Sequence, residues 1–264
     1  MDFELLLLEG TWNISLLFSL LGIAFIYAWM LRRFATINVH RKQAFLFYGA
    51  LIILYMITGS PIASIGHLSF SLHMIQMSLL YFIIPPMLML GIPEQLIKSI
   101  RIPSWNSRYL SSIGLIGFAS MFFMYHIPFM LQTFSQFPFL HQVYFILLLF
   151  FSFCMWFPIT SPDPAHRYPK KQMKRYAFWS GLLIMPACIL FIIIALFQEV
   201  ENPFVTNISS NLCFPSQTNS FHILPFPFNT KYDQFTAGIL MMGMHKTGLI
   251  FALRHSEPQD GDAS

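Results

Sequence analysis

Long apolar blocks, each close to the thickness of a membrane in helical length, constrain this chain more than any other feature of its sequence. Seven of them can be distinguished, at residues 13–31, 44–58, 70–91, 110–131, 139–160, 177–197 and 235–254. About 20 helical residues are needed to cross about 30 Å of hydrocarbon. Within lipid, a single segment satisfies its own backbone hydrogen bonds only as an α-helix. We therefore predict an all-α polytopic membrane protein, a bundle of seven transmembrane helices.

The composition agrees with this architecture, because only 10% of the 264 residues are charged and 56% are hydrophobic. A typical soluble domain has about 25% charged residues. We predict one transmembrane helical domain over residues 1–254, followed by a short disordered cytoplasmic tail over 255–264, which is polar and contains Pro and Gly. The net charge of +4 comes from short connections rather than from one basic face, so we predict no nucleic-acid partner.

The distribution of Lys and Arg predicts the orientation, because short cytoplasmic loops accumulate these residues. The second and fourth connections contain none, and the long sixth connection, 198–234, contains only Lys231. The first, third and fifth connections contain the following: Arg32, Arg33, Arg41, Lys42, Lys98, Arg101, Arg108, Arg167, Lys170, Lys171, Lys174 and Arg175. We therefore predict an N-terminus outside the membrane and a C-terminus in the cytoplasm.

In this orientation, four histidines from separate parts of the chain lie at the outer membrane boundary. They are His67, His73, His126 and His141. A histidine in or beside hydrocarbon is costly and is therefore a candidate functional residue. The alternative for each is that it anchors a helix end at the interface or donates to a backbone carbonyl. The shared depth leads us to predict that at least two of them converge in a metal site.

The third block adds thioethers to these imidazoles. His73, Gln76 and Met77 are spaced so that they share one helical face, and Met74 follows His73 directly. Imidazole and thioether together suit copper, as Cu(I), whereas a Ca or Mg site would need oxygen ligands. We predict His73, Met77, His126, His141 and His67 as metal ligands, and Gln76 and Met74 as residues that support them.

The seventh block has polar residues at two depths. Asp233 and Gln234 lie at its outer end, where a carboxylate could orient an imidazole or balance a bound cation. His245 and Lys246 lie about 15–18 Å deeper along the helix axis. This deeper pair is predicted to be a polar contact between helices, a transfer position for an ion, or a proton-handling pair.

Residues 59–93 resemble the CtaG family of bacterial cytochrome c oxidase assembly factors, the membrane-spanning kind associated with caa(3)-type oxidases. The stretch GSPIASIGHLSFSLHMIQMSLLYFIIPPMLMLGIP carries Ser-Pro, Gly-His, His-Met-x-Gln and Pro-Pro at family-like spacing. Family-like features continue at 125–128, around His141, at 155–158, at 186–188 and at 233–238. Many members have a second His where this chain has Met77, and another where it has Phe145.

The resemblance implies a protein of the bacterial plasma membrane that serves cytochrome c oxidase subunits, with the lipid bilayer as its surroundings. It implies an assembly factor or metallochaperone rather than an enzyme, one that loads copper into the outward-facing centre of the oxidase. Two other functions remain open: a haem- or quinone-dependent membrane enzyme that uses the same histidines, and a seven-helix transporter. The chain has no motif of a hydrolase, metalloprotease or nucleotide-binding enzyme in a supporting context. Its sequence does not indicate an oligomeric state.

Overall fold

The computed structural model describes residues 12–33, 41–66, 69–98, 104–197 and 231–256. All regular structure in these ranges is helical, which confirms the all-α prediction. There are seven long helices: α1 (Ile14–Arg33), α2 (Arg41–Thr58), α3 (Phe70–Gly91), α4 (Ser104–Tyr125), α5 (Pro138–Thr160), α6 (Lys170–Phe197) and α7 (Lys231–Ser256). Shorter helical segments span Ile62–Ile65, Glu94–Lys98, Pro128–Gln136 and Pro164–His166.

Five of the long helices, α1, α3, α5, α6 and α7, are long and apolar enough to cross a membrane. The apolar parts of α2 and α4, Lys42–Thr58 and Tyr109–Tyr125, are shorter. Large apolar side chains project outward from these helices, among them Phe18, Phe45 and Phe150. Such a surface suits lipid rather than water. The protein is therefore a membrane protein, while the predicted number of seven spans is not confirmed by helix length and hydropathy.

Several helices begin earlier than the apolar blocks predict. α2, α4, α6 and α7 start at residues 41, 104, 170 and 231, where the sequence predicts starts near 44, 110, 177 and 235. Hydropathy marks only the part of a helix that lies in hydrocarbon, whereas Lys, Arg, Gln and Ser are also compatible with helix and continue it into the polar region. Many of the basic residues predicted in loops therefore lie in the first turns of helices.

The fourth block also ends earlier than predicted, at Tyr125 instead of residue 131. Ile127 is extended, with ψ 129°, and Pro128 begins a separate helix that runs to Gln136. Proline disfavours helical backbone at the residue before it and suits the first turn of a new helix. The local sequence thus bends the chain directly after Tyr125.

Consecutive long helices run antiparallel, since opposite ends of neighbours in the sequence contact each other. α3 lies in the middle of the bundle. α3 packs against α2, α5 and α7, while α4 packs mainly on α5, and α6 on α7. α1 packs mostly on α2, and the Tyr27 hydroxyl donates to the Gly91 carbonyl at the end of α3 at 2.7 Å. α3 is thus the element from which side chains can reach the largest number of neighbours.

A π-helical segment, Leu79–Ile83, interrupts α3. Pro85 and Pro86 follow it and lack the N–H groups that the carbonyls of Tyr81 and Phe82 would otherwise bind in an α-helix. Two donors from α5 bind the Tyr81 carbonyl instead: the Ser152 hydroxyl at 2.6 Å and the Trp156 indole N–H at 2.9 Å. The proline pair therefore ties α3 to α5 in the centre of the bundle.

Candidate functional site

The candidate site lies at the end of the bundle where α3, α5 and α7 begin and α4 ends. Asp233 fixes the position of α3 there. Its carboxylate accepts the Ser69 hydroxyl at 2.9 Å and the backbone N–H groups of Phe70 at 2.9 Å and Ser71 at 3.2 Å. The charge of the carboxylate also suits the positive end of a helix dipole. Asp233 is thus a buried cap on α3, and it acts on His73 through the position of this helix.

Two of the predicted histidines meet on one tyrosine. The Tyr125 hydroxyl lies 3.0 Å from Nε2 of His73 and 3.2 Å from Nε2 of His141. The ring of Tyr125 is stacked with both imidazoles, at centroid distances of 5.9 Å each. α3, α4 and α5 therefore bring His73 and His141 together through Tyr125, and their Nε2 atoms are no more than two hydrogen bonds apart.

The hydrogen bonds of the triad His73–Tyr125–His141 require different tautomers of its two histidines. The phenol has a single proton, so it can donate to one imidazole and must accept from the other. In neutral rings, one histidine then carries its proton on Nε2 and the other on Nδ1. The triad His73–Tyr125–His141 is therefore asymmetric, and either an ion or a proton entering it would change the roles of all three groups.

Aromatic side chains cover the triad. The ring of Phe134, in the short helix Pro128–Gln136, stacks 5.7 Å from Tyr125 and 5.7 Å from His141. Phe145 lies 4.2 Å from His141 and 5.5 Å from Tyr125. Phe145 and Phe134 therefore both lie against the triad.

His126 pairs with a thioether. Its Nδ1 lies 2.6 Å from the Phe122 carbonyl, and its Nε2 lies 3.5 Å from Sδ of Met74. A carbonyl only accepts, so Nδ1 carries the proton of the neutral ring and Nε2 presents a lone pair to the sulfur. With metal–nitrogen and metal–sulfur bonds of about 2.0 and 2.3 Å, an ion bound by both atoms at this separation would have an N–metal–S angle of about 109°. The pair His126–Met74 thus has the spacing of two ligands of one tetrahedral ion.

The face predicted from His73, Gln76 and Met77 does not act as one unit. The Gln76 amide N–H donates to the Ile57 carbonyl on α2 at 2.6 Å, while His73 faces α4. Met77 is buried in the core, and Met74 is the thioether that faces an imidazole nitrogen. Residues three and four positions apart share a helix face, but the partner of each long side chain depends on which neighbouring helix it packs against.

Four other predicted residues remain to be placed. Gln234 is buried beside Asp233 in the first turn of α7. His245 is buried deeper in α7, against the ring of Phe82 at 4.9 Å, and Lys246 is exposed. His67 lies outside the described residues.

Carboxylates, imidazoles and thiols alone do not form a metal site in the ranges that the structure describes, because no three of these groups are close enough. A site for an ion at this end of the bundle therefore needs thioether or phenol ligands in addition to imidazole.

Comparison with known families identifies one family model that matches this chain. The model of the cytochrome c oxidase caa3 assembly factor family matches residues 25–254, which is most of the chain. The protein belongs to this family. The matched region contains α2 to α7 and both histidine groups described above. Searches among curated proteins and among solved structures gave no match.

Sequence reasoning did not identify Tyr125 as the residue that joins two histidines. The sequence nevertheless contained a signal. Tyr125 and His126 lie at the end of α4, and His73 and Met74 lie near the start of α3. In antiparallel helices, residues at these two ends come to the same depth, and consecutive residues point about 100° apart. The contacts His73–Tyr125 and Met74–His126 therefore both lie where the start of α3 meets the end of α4.

Proposed function

We propose that this caa3 assembly factor binds Cu(I) at the outer end of α3 and α4 and passes it to the copper centre of the oxidase. The observation that carries this proposal is the 3.5 Å approach of the His126 Nε2 lone pair to the Met74 thioether. The triad His73–Tyr125–His141 supplies two more imidazoles at the same end of the bundle.

The chemistry is ligand exchange rather than bond-making catalysis. A thioether and an imidazole bind Cu(I) more weakly than a thiolate-rich site, so the ion can move to a better-ligated acceptor. Neither ligand loses a proton when it binds the ion, because the proton of His126 stays on Nδ1. The site therefore needs affinity, access and a docking surface, and no nucleophile or general base.

The proposal includes the topology. We infer that α2 and α4 cross the membrane together with the five longer helices, giving seven spans with the N-terminus outside. The antiparallel order of consecutive helices and the near absence of Lys and Arg from even-numbered connections both support this arrangement. The site then lies on the outer side, where an outward copper centre is loaded.

The test is complementation of a strain that lacks this gene product, with oxidase activity and oxidase subunit levels both measured under copper limitation. We expect deletion to lower oxidase activity while the subunits are still synthesised. His126→Gln removes the imidazole lone pair of Nε2, and we expect it to reproduce much of the deletion phenotype. Met74→Leu keeps the volume and removes the sulfur. Its effect should grow as copper becomes scarce.

Met77→Leu is the matched control. Met77 and Met74 lie one turn apart on α3 and are 1% and 2% exposed, so the two substitutions change core packing alike. Equal effects of both on oxidase activity would show that the sulfur of Met74 has no special role. Full activity of His126→Gln under copper limitation would contradict copper transfer through this pair.

A further inference from the structure

A cavity of about 620 Å³ lies at the end of the bundle opposite the candidate site. It is bounded by the end of α3, the connection between α5 and α6, and the last residue of α7. Much of its lining is apolar, including Leu90, Ile92, Pro164 and Met173. None of these residues takes part in the copper site proposed above, so the cavity needs an explanation of its own.

Three charged side chains also line this cavity, namely Glu94, Arg167 and Lys170. Further basic residues are exposed in the first turns of α6: Lys171, Lys174 and Arg175. Basic residues that begin an apolar helix mark the boundary between hydrocarbon and water. The cavity therefore lies at the depth of phospholipid head groups.

The connection between α5 and α6 holds Arg167 in a fixed position. Its Nε donates to the Ser161 carbonyl at 2.5 Å, and its Nη1 donates to the Ser256 carbonyl at 2.8 Å. A guanidinium group has five N–H donors and two are used here, so three remain. Within the part of the chain that the structure describes, these three have no acceptor and Arg167 has no ion pair. An oriented guanidinium group of this kind suits a phosphate, which it can bind through two parallel hydrogen bonds.

The carboxylates near Arg167 do not fully balance its charge. Burial lowers the pKa of Arg167, and the charges of Glu94 and Asp163 offset this only in part. Asp163 has other partners, since its carboxylate accepts the Ala165 backbone N–H at 2.9 Å and lies 3.2 Å from Nδ1 of His166. Glu94 is the carboxylate that lines the cavity. A ligand with both an anionic and a cationic group would therefore match Arg167 and Glu94 together.

We propose that this cavity binds the head group of a zwitterionic phospholipid, with its phosphate on Arg167 and a primary ammonium group on Glu94. Phosphatidylethanolamine has this combination of charges, separated by a short carbon chain. Lys170 adds a second positive charge to the cavity wall. The apolar lining favours a lipid over a soluble phosphate, because burial of acyl-chain atoms adds to the free energy of binding. This site goes beyond the proposed function and does not depend on copper.

The test is lipid binding to the full-length protein in detergent, followed by native mass spectrometry during titration with single lipids of identical acyl chains. We expect phosphatidylethanolamine to bind at least about tenfold more tightly than phosphatidylcholine, whose methylated nitrogen cannot donate to Glu94. Phosphatidylglycerol, which has no ammonium group, should be weaker by a similar factor. Equal or tighter binding of either of these two lipids would overturn the proposal.

Glu94→Gln and Arg167→Gln separate the two ends of the head group. Glu94→Gln should abolish the preference for phosphatidylethanolamine, whereas Arg167→Gln should weaken all three lipids, since each contains the phosphate. Arg167 also binds two carbonyls, so thermal unfolding is measured for every variant. If Arg167→Gln does not fold, Glu94→Gln still decides the question. An unchanged lipid preference in Glu94→Gln would overturn the role of this carboxylate and with it the zwitterionic site.

Lys171→Gln and Lys174→Gln are matched controls, because each removes one positive charge from an exposed side chain of α6 that does not line the cavity. Both should keep the lipid affinities within about twofold. A loss equal to that of Arg167→Gln would indicate attraction to the basic surface alone and would overturn the cavity site. Displacement of the lipid by an equal concentration of glycerophosphoethanolamine, which has the head group without acyl chains, would indicate a soluble ligand and overturn the lipid assignment.

Discussion

Replacement of Asp233 tests how the candidate site is held in place. Its carboxylate is buried and accepts one hydroxyl and two backbone N–H groups at the start of α3. Asp233→Ala would leave these donors without their acceptor, and each unsatisfied buried donor costs about 1–3 kcal/mol. We expect a loss of about 3 kcal/mol or more. Asp233→Asn keeps one acceptor oxygen but loses the charge, and we expect a smaller loss of about 1–2 kcal/mol.

The assay is thermal unfolding in detergent, followed with a thiol-reactive fluorophore. Cys154 and Cys188 are free and buried, so they react only when the bundle opens. Cys213 is replaced by serine in every variant to remove its background. A loss of about 3 kcal/mol corresponds to a decrease of about 6–12 °C in the apparent Tm for a chain of this size.

Two results would refute this reasoning about Asp233. One is an apparent Tm for Asp233→Ala within about 1 °C of that of the unsubstituted protein, since the loss of a buried cap is expected to shift it by several degrees. The other is an equal loss in both variants, which would mean that the remaining oxygen of Asn contributes nothing. Asp233→Asn should also keep the Cu(I) stoichiometry, because the carboxylate binds α3 rather than the ion. A lost equivalent in a folded Asp233→Asn would instead support the direct role at the metal that the sequence suggests.

Two further predictions concern packing and topology. Gly248→Ala would place a Cβ 2.5 Å from the Phe82 carbonyl and should destabilise the protein by about 1–3 kcal/mol. A Cβ at Gly243 would have no atom within 4 Å, so Gly243→Ala should be neutral or stabilising. Equal shifts in apparent Tm for the two variants would contradict the close approach of α7 to the π segment. Reporter fusions should place the N-terminus outside and the C-terminus in the cytoplasm, and a C-terminus outside would reverse the side on which the candidate site lies.

Much of the candidate site was predictable, because the depth of each residue in the membrane follows from the residues that are near it in the sequence. His73, His126 and His141 each stand at the edge of an apolar block, and the alternation of the blocks places these edges at one end of the bundle. Pro85 and Pro86 likewise remove two backbone donors from α3 whatever its surroundings, and the π segment lies directly before them. Hydropathy and proline act over a few residues of one segment, so a single sequence is enough to read them.

The partners of the side chains were not predictable in the same way. Spacing along α3 grouped His73 with Gln76 and Met77, but the tertiary structure directs Gln76 to α2, His73 to Tyr125 and Met74 to His126. Which of these neighbours a side chain meets depends on the rotation of each helix about its own axis, which is set by packing against all adjacent helices.

The sequence by itself determined that the chain is an all-helical membrane protein and that His73, His126 and His141 share one end of the bundle. Only the tertiary structure decided that Tyr125 joins two of these histidines, that Asp233 caps α3, and that Glu94 and Arg167 line one cavity. Depth in the membrane follows from the free energy of transfer of each segment, which is a property of local composition. Contacts between segments follow from close packing of several helices at once, which no single segment contains.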